Sequence, residues 1–221
     1  MKSGNVKTIV ASLMIAGAAL SLWFSYRETP PLPNPKLHEG IGMVMAEQAA
    51  KLLVSGGRVT LLVRDTSVFP NPATEMELKG FAEAVKKTKL PVAATNVVKL
   101  DPLRMVRVPP RDFFEILRKQ NDGDVIVSFL GPPLFTAAER AQFTGRKAKV
   151  VALCSGEMPR QVDLKEVFDQ NLLHAAVINR PNPPSVAVQS DDPQAWFRQF
   201  FQLITPLNLS EMPLPAESRL R

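Results

Sequence analysis

Small polar and acidic residues follow five short apolar runs of this sequence, and they are the residues best placed to do chemistry. If the runs are parallel strands of one sheet, these residues meet at the edge where open α/β sheets bind their ligands. Their hydroxyl, amide and carboxylate groups can hydrogen-bond a small polar molecule. The predicted ligand-binding residues are Asp65, Thr66, Ser67, Asn96, Ser128, Ser155 and Gly156.

Asp65 is the only acidic residue that comes just after one of the runs. Its carboxylate could accept hydrogen bonds from a ligand or bind a cation. An aspartate at the start of a loop more commonly accepts hydrogen bonds from the backbone that follows it. We therefore expect Asp65 to cap its loop, with ligand contact as the alternative.

No catalytic signature accompanies these residues. Ser155 has the position of a nucleophile, but no nucleophile-elbow pattern surrounds it. Cys154 ends an apolar run, which is typical of a small buried thiol. His38 and His174 are the only histidines and have no companion His or Cys cluster, so the sequence predicts neither a metal site nor a cofactor. We predict a protein that is not an enzyme, with a Rossmann-like enzyme as an alternative.

The apolar runs themselves predict the fold. Each run is too short for a helix and rich in β-branched residues, and segments with helical periodicity separate them. This alternation predicts an α/β domain with a doubly wound, mainly parallel five-stranded sheet, a flavodoxin-like or Rossmann-like three-layer fold with strand order 2-1-3-4-5. The runs are Val59 to Val63, Val92 to Val98, Val125 to Leu130, Val150 to Leu153 and Ala175 to Ile178.

The last predicted helix begins with Asp192 as its cap and Pro193 in its first turn, and it ends before Pro206. Its aromatic and aliphatic residues between Trp196 and Ile204 predict one apolar face. This face would pack on the domain's own core. The alternative is that Trp196 and Phe200 dock a protein partner or the membrane surface.

The N-terminal residues predict a membrane anchor. The run from Thr8 to Tyr26 carries no charge and is long enough to cross a bilayer as a helix. Lys2 and Lys7 precede it, so the N-terminus stays cytoplasmic and the domain is extracytoplasmic, or periplasmic if the source is bacterial. The alternative is a signal peptide cleaved near Ala16-Gly17-Ala18.

The 221 residues, 45% of them apolar, suffice for one domain with extensions. We predict an anchor at residues 1–27, a Pro-rich spacer at 28–37, the α/β domain at 38–206 and a flexible tail at 207–221.

The net charge is +6. The lysine and arginine clusters of the chain lie at predicted helix ends, where cations are favourable, and no aromatic residues alternate with them. No nucleic-acid partner is therefore expected.

Four segments, in order, have the pattern of a known family. Gly56 to Asp65 is a strand that ends in an acid, and Leu78 to Val85 is a helix with Gly80-Phe81 near its middle. Asp112 to Leu117 is a helix that precedes the Gly-Asp strand Gly123 to Val127. Together they resemble one lobe of the type I periplasmic substrate-binding proteins of ABC transporters, over roughly residues 40–156.

This resemblance implies a fold, an extracytoplasmic setting and binding of a small ligand. Proteins of the family close two lobes over the ligand, whereas 221 residues hold only one lobe. A second protein partner or a second copy would then supply the other wall of the cleft. We expect a membrane-anchored binding or accessory domain that recognises a small ligand or an envelope partner. The alternative is a structural subunit of a membrane complex.

Overall fold

The structure is a computed structural model, and it describes residues 13–23, 33–100, 108–141, 148–184 and 190–212. The chain divides into two compact units, Met1–Pro33 and Asn34–Arg221. The second unit contains a six-stranded sheet. The predicted α/β fold is therefore confirmed, and the sheet has one strand more than predicted.

The sheet has the order β2-β1-β3-β4-β5-β6. The first five strands are parallel and have the predicted order 2-1-3-4-5. The central strands are continuously apolar because both faces of the sheet are covered. The strands are β1 (Val59–Arg64), β2 (Val92–Val98), β3 (Val125–Ser128), β4 (Lys149–Cys154), β5 (Ala175–Asn179) and β6 (Phe201–Ile204).

Helices cover the sheet on both sides, which gives the three layers of a doubly wound fold. Successive strand residues alternate between two cores: Val125 and Val127 face one, and Ile126 faces the other. The helices are α1 (residues 13–23), α2 (Pro35–Leu52), α3 (Pro72–Thr88), α4 (Pro110–Arg118), α5 (Ala137–Arg140), α6 (Met158–Gln161), α7 (Leu164–Asp169) and α8 (Pro193–Phe200). Helices α2, α3 and α8 contribute to one core, and α4, α6 and α7 contribute to the other.

Helix α2 begins at Pro35, inside the segment predicted as the Pro-rich spacer. The Asn34 side chain accepts hydrogen bonds from the backbone N–H groups of Lys36 and Leu37, at 3.0 and 3.3 Å, and Pro35 occupies the first helical turn. An asparagine cap followed by proline is a strong helix start. The predicted spacer was therefore three residues too long, because residues 35–37 belong to the helix.

The predicted end of the last helix is wrong. Helix α8 begins as predicted, with the Asp192 carboxylate accepting from the N–H of Gln194 at 2.9 Å, but it ends at Phe200. Phe201–Ile204 then form β6, antiparallel to β5. The outer edge of β5 offers unpaired backbone groups, and the short strand satisfies them while it buries Phe201 and Ile204.

The residues that closely follow β6 are structured. A short 3-10 helix spans Leu209–Glu211, and the side chains of Leu209 and Met212 pack against a core. Residues 209–212 of the predicted tail are therefore structured. Residues 213–221 lie outside the described residues.

In the unit Met1–Pro33, residues 13–23 are helical and exposed. No helix in the described parts of the chain is both long enough and apolar enough to cross a membrane. The remainder of the predicted anchor, residues 8–12 and 24–26, lies outside the described residues.

Candidate functional site

The end of β1 lies where the strand order reverses. From β1 the chain crosses to β2 on one side and later returns to β3 on the other. Open α/β sheets bind ligands at such a switch point, outside the carboxyl ends of the strands. Asp65, Thr66 and Ser67 follow β1 directly, so the topology places these three predicted residues at the expected crevice.

Asp65 caps its own loop, as expected. Its Oδ1 accepts a hydrogen bond from the backbone N–H of Ser67 at 2.9 Å, which forms a tight turn. Hydrogen bonds from the Ser67 side chain and backbone lower the pKa of Asp65 below its ordinary value, and the charge of Lys99 acts in the same direction. The carboxyl group is thus ionised near neutral pH and only partly buried. A carboxylate has about four acceptor positions, so it can bind further donors.

Two apolar side chains of the same loop are open to solvent. Val68 is 72% exposed and Phe69 is 53% exposed. The sequence analysis placed no ligand contact on either residue. The loop after β1 thus carries both an exposed aromatic ring and, four residues before it in the sequence, an ionised carboxylate.

The structure brings two further predicted residues to the same end of the sheet. Ser155 and Gly156 follow β4 and are exposed, and the N–H of Gly156 donates to the Asn179 side chain at the end of β5 at 2.7 Å. Because β3 lies between β1 and β4, the ends of β1 and β4 are two strand spacings apart, roughly 10 Å. That separation is on the scale of a small ligand.

Asn96 and Ser128 do not lie on this exposed edge. Asn96 is inside β2, opposite Leu62, two residues before the strand ends. Ser128 is the last residue of β3 and is buried: its hydroxyl donates to the carbonyl of Gly131 at 2.6 Å and accepts from the N–H of Leu130 at 3.2 Å. Ser128 thus holds the turn after β3, and neither residue joins Asp65 on an open surface.

The geometry does not assemble a serine nucleophile with a histidine. The Nδ1 atom of His174 accepts a hydrogen bond from the N–H of Val150 at 3.2 Å, at the beginning of β4. Ser155 follows the other end of β4. Val150 and Ser155 are five positions apart along the strand, which corresponds to roughly 16 Å. General-base activation needs a separation of about 3 Å.

Cys154 is fully buried at the end of β4, as predicted. Desolvation raises the pKa of its thiol well above the ordinary value. A neutral thiol without access to solvent is a poor nucleophile and a poor metal ligand. The described residues also contain no group of three or more His, Cys, Asp or Glu side chains that could hold a metal ion.

The sequence analysis missed a polar cluster between α2 and α3. His38 Nδ1 lies 2.9 Å from Glu77 Oε1, and Lys79 Nζ lies 2.6 Å from Glu39 Oε1. Both glutamates are buried, and desolvation raises the pKa of Glu77, against the opposing effect of His38. The partners lie on different helices, about forty positions apart, so no local spacing pattern signals them.

The described residues form a cavity of about 260 Å³, and none of the predicted ligand-binding residues lines it. It lies beside α5 and α7, with Arg140 at its wall. Arg140 already hydrogen-bonds Glu166 and Gln170, at 3.0 and 3.1 Å. At the strand-end edge, Ser67, Ser155 and Gly156 are exposed.

Trp196 and Phe200, the predicted partner-binding residues, are both half-buried. Their rings stack with centroids 5.9 Å apart, and the Trp196 Nε1–H donates to the carbonyl of Ser190 at 2.6 Å. Phe200 also packs against the core that α2 and α3 share. Contact with the domain's own core thus accounts for part of this aromatic face.

Comparison with solved structures identifies the fold. The arabinose-binding protein AraP of Geobacillus stearothermophilus is similar with a TM-score of 0.52 and 15% identity over 80% of this chain. A carbohydrate transporter solute-binding protein of Agrobacterium radiobacter, in complex with D-arabinose, has a TM-score of 0.50 and 15% identity over 78%. A LacI transcriptional regulator of Bacteroides fragilis has a TM-score of 0.50 and 11% identity over 78%. No protein-family model matches the sequence, and no curated protein matches it.

The resemblance to the type I periplasmic substrate-binding proteins is therefore confirmed for the fold. The chain spans 63% of AraP, 60% of the Agrobacterium protein and 61% of the regulator, less than two thirds of each. At 11 to 15% identity the likeness concerns architecture only.

Proposed function

We propose that the α/β unit is an extracytoplasmic binding domain that binds a small polyhydroxylated ligand at the strand-end edge. The observation that carries the proposal is the loop after β1, where an ionised Asp65 carboxylate lies at the topological switch point of the sheet. Fold alone does not define a ligand, so the argument rests on the chemistry of this loop.

A polyhydroxylated molecule suits the groups at this edge. Asp65 accepts hydrogen bonds from hydroxyl groups, and the hydroxyls of Thr66, Ser67 and Ser155 both donate and accept. The exposed Phe69 ring offers an apolar face to the C–H groups of such a ligand. Two proteins with this fold are an arabinose-binding protein and a solute-binding protein in complex with D-arabinose, which makes sugars the first class to test.

The edge is open, so one lobe alone cannot enclose a ligand. Binding sites for small molecules usually bury most of the ligand surface. Asp65, Ser67 and Phe69 would form one wall, and a protein partner or a second copy would form the other. An isolated chain should consequently bind its ligand weakly.

The proposed location is the outer face of a membrane, with the chain anchored through Thr8 to Tyr26 and the N-terminus cytoplasmic. The support is the uncharged run itself, preceded by Lys2 and Lys7, together with the exposed apolar side chains of its helical part. Deletion of residues 1–27 should release the protein from membranes. A mature N-terminus near Ala19, measured by mass spectrometry, would show cleavage and contradict the anchor.

A thermal-shift titration of the full-length protein tests ligand binding. D-Arabinose, D-ribose, D-xylose, D-galactose and D-glucose are added in turn up to tens of millimolar. At least one sugar should raise the Tm in a concentration-dependent way, because a ligand that binds only the folded state stabilises it. An Asp65→Asn substitution should remove this rise while it leaves the Tm without sugar nearly unchanged.

Glu83→Gln is the matched control, because Glu83 is an exposed acid in the last part of α3, which leads to the beginning of β2 rather than to the strand-end edge. Its sugar response should equal that of the unmodified protein. If no sugar raises the Tm, or if Asp65→Asn responds like the control, the proposed function is wrong.

A further inference from the structure

Strand β2 is an unusually open edge of the sheet. Five of its seven residues are exposed, and only Val98 is buried. The run Val92 to Val98 contains no charged residue and no proline. Edge strands normally carry such residues, or a bulge or cover, to prevent pairing with another chain. The register of β2 with β1 shifts between Val92 and Ala94, so β2 has one irregularity, at Ala93 near its beginning, and residues 94–98 are regular. Val97 is 58% exposed and Val92 is 39% exposed, so the edge also displays apolar side chains.

The backbone of β2 has hydrogen-bonding groups directed away from the sheet. The carbonyl of Val98 accepts a hydrogen bond from the N–H of Asp65, on the β1 side, at 2.9 Å. Backbone groups of successive strand residues point to opposite sides of the strand. The N–H and C=O groups of Thr95 and Val97 therefore point outward, where no described strand pairs with β2.

We propose that β2 pairs with β2 of a second copy of this chain, antiparallel, with the two-fold axis at Thr95. Thr95 then lies opposite Thr95, and Ala93 lies opposite Val97 of the other copy. Thr95 is an outward-directed residue, so the two copies can join there by a pair of hydrogen bonds, as in an antiparallel ladder. The regular part of the ladder ends at Ala93, where β2 is irregular. The two six-stranded sheets become one continuous sheet.

The sequence of β2 is self-complementary in this register. Thr–Thr pairs are favourable across antiparallel strands. Lys99, the nearest charge after the strand, comes opposite Pro91, so no like charges face each other. A two-fold interface requires that each contact occur twice in a self-complementary patch, and a strand with this symmetric, uncharged composition satisfies the requirement. The pairing does not use Asp65, so it stands apart from the proposed ligand site.

Cysteine cross-linking tests the register in the full-length protein in detergent. Directly opposed, hydrogen-bonded residues have Cα atoms about 5.5 Å apart, which a disulfide can bridge. Thr95→Cys should give a disulfide-linked dimer on mild oxidation. Ala82→Cys, at an exposed position of α3, is the matched control and should remain monomeric. Cys154 is buried and should not react.

A second variant measures the association itself. Thr95→Lys places two ammonium groups opposite each other at the axis, and we expect about tenfold weaker dimerisation in sedimentation analysis. Ala82→Lys should dimerise like the unmodified protein. Because Thr95 and Ala82 are exposed, both variants should keep the circular-dichroism spectrum of the unmodified protein. A full-length protein that is monomeric, a dimer insensitive to Thr95→Lys, or equal cross-linking of both cysteine variants would overturn the proposal.

Discussion

At the residue scale, Asp65 combines a structural role with a free charge. Its carboxylate fixes the turn through Ser67, and the same hydrogen bonds keep it ionised. A loop residue held in this way is preorganised, so a ligand would not have to order it on binding. The two roles that the sequence left as alternatives for Asp65 are thus compatible in one geometry.

The pH dependence of stability should depend on His174. Burial lowers the pKa of its imidazole from 6.5 to about 4, with a smaller effect of Lys149. The unfolded chain therefore binds a proton more readily than the folded protein as the pH falls below 6.5. The contribution of neutral His174 is complete above pH 6.5 and is lost as the pH falls towards 4. We expect a loss of roughly 2 kcal/mol, less than the full pKa difference implies because the ring is partly exposed.

The measurement is urea unfolding at pH 7.5 and at pH 4.5, for the unmodified protein and for His174→Asn. Asparagine keeps an acceptor near the N–H of Val150 but does not titrate in this range. The unmodified protein should lose more stability between the two pH values than the variant. Equal losses in the two proteins would show that His174 does not carry the effect.

The sequence predicts isolated residues better than pairs. The buried thiol of Cys154 and the capping role of Asp65 follow from their places after apolar runs. The His38–Glu77 pair depends on how α2 crosses α3, which no local pattern encodes. Asn96 lies inside the run Val92 to Val98, whose bounds the structure reproduces, so its distance from the strand end already follows from the predicted strand.

At the element scale, two glycines set the contact between α2 and α3. A Cβ atom at Gly42 would overlap the carbonyl oxygen of Glu77, and one at Gly80 would overlap the carbonyl oxygen of Glu39. The obstructing atoms are backbone atoms, so they cannot rotate away as a side chain can. The two helices approach closely only because both positions lack a side chain.

We therefore predict that Gly42→Ala and Gly80→Ala each destabilise the protein by about 1 to 3 kcal/mol, although alanine is the better helix former. Urea unfolding of the full-length protein measures the change. Gly17→Ala is the control, because nothing lies within 4 Å of a Cβ atom there. Stabilisation by Gly42→Ala would mean that the helices are not in close contact.

Strand β6 is the element that the sequence could not assign. Its apolar residues also fit the period of the preceding helix, and four residues are too few to separate the two periods. The free edge of β5 decides the outcome, because it offers hydrogen bonds that a longer helix would leave unmade. The five parallel strands were predictable because each is an isolated apolar run between helical segments.

At the scale of the whole molecule, the unit Asn34–Arg221 has the fold of one lobe and an exposed strand-end edge. The sequence indicated the fold through the order of its segments, since alternating strands and helices restrict the possible topologies. The sequence indicated the site less completely. Loops such as the one after β3, which buries Ser128, decide which side chains remain exposed to solvent. The proposed ligand site and the β2 edge both need a further surface, and each can be tested without the other.

Hydrogen exchange monitored by mass spectrometry tests the proposed site most directly. The full-length protein is compared with and without the sugar that gives the largest rise in Tm. The account predicts slower exchange in the loop of residues 64–71 and in residues 155–157, at the strand-end edge, with no change in α7. Slower exchange confined to residues 161–172, beside the cavity, or no change anywhere, would contradict it.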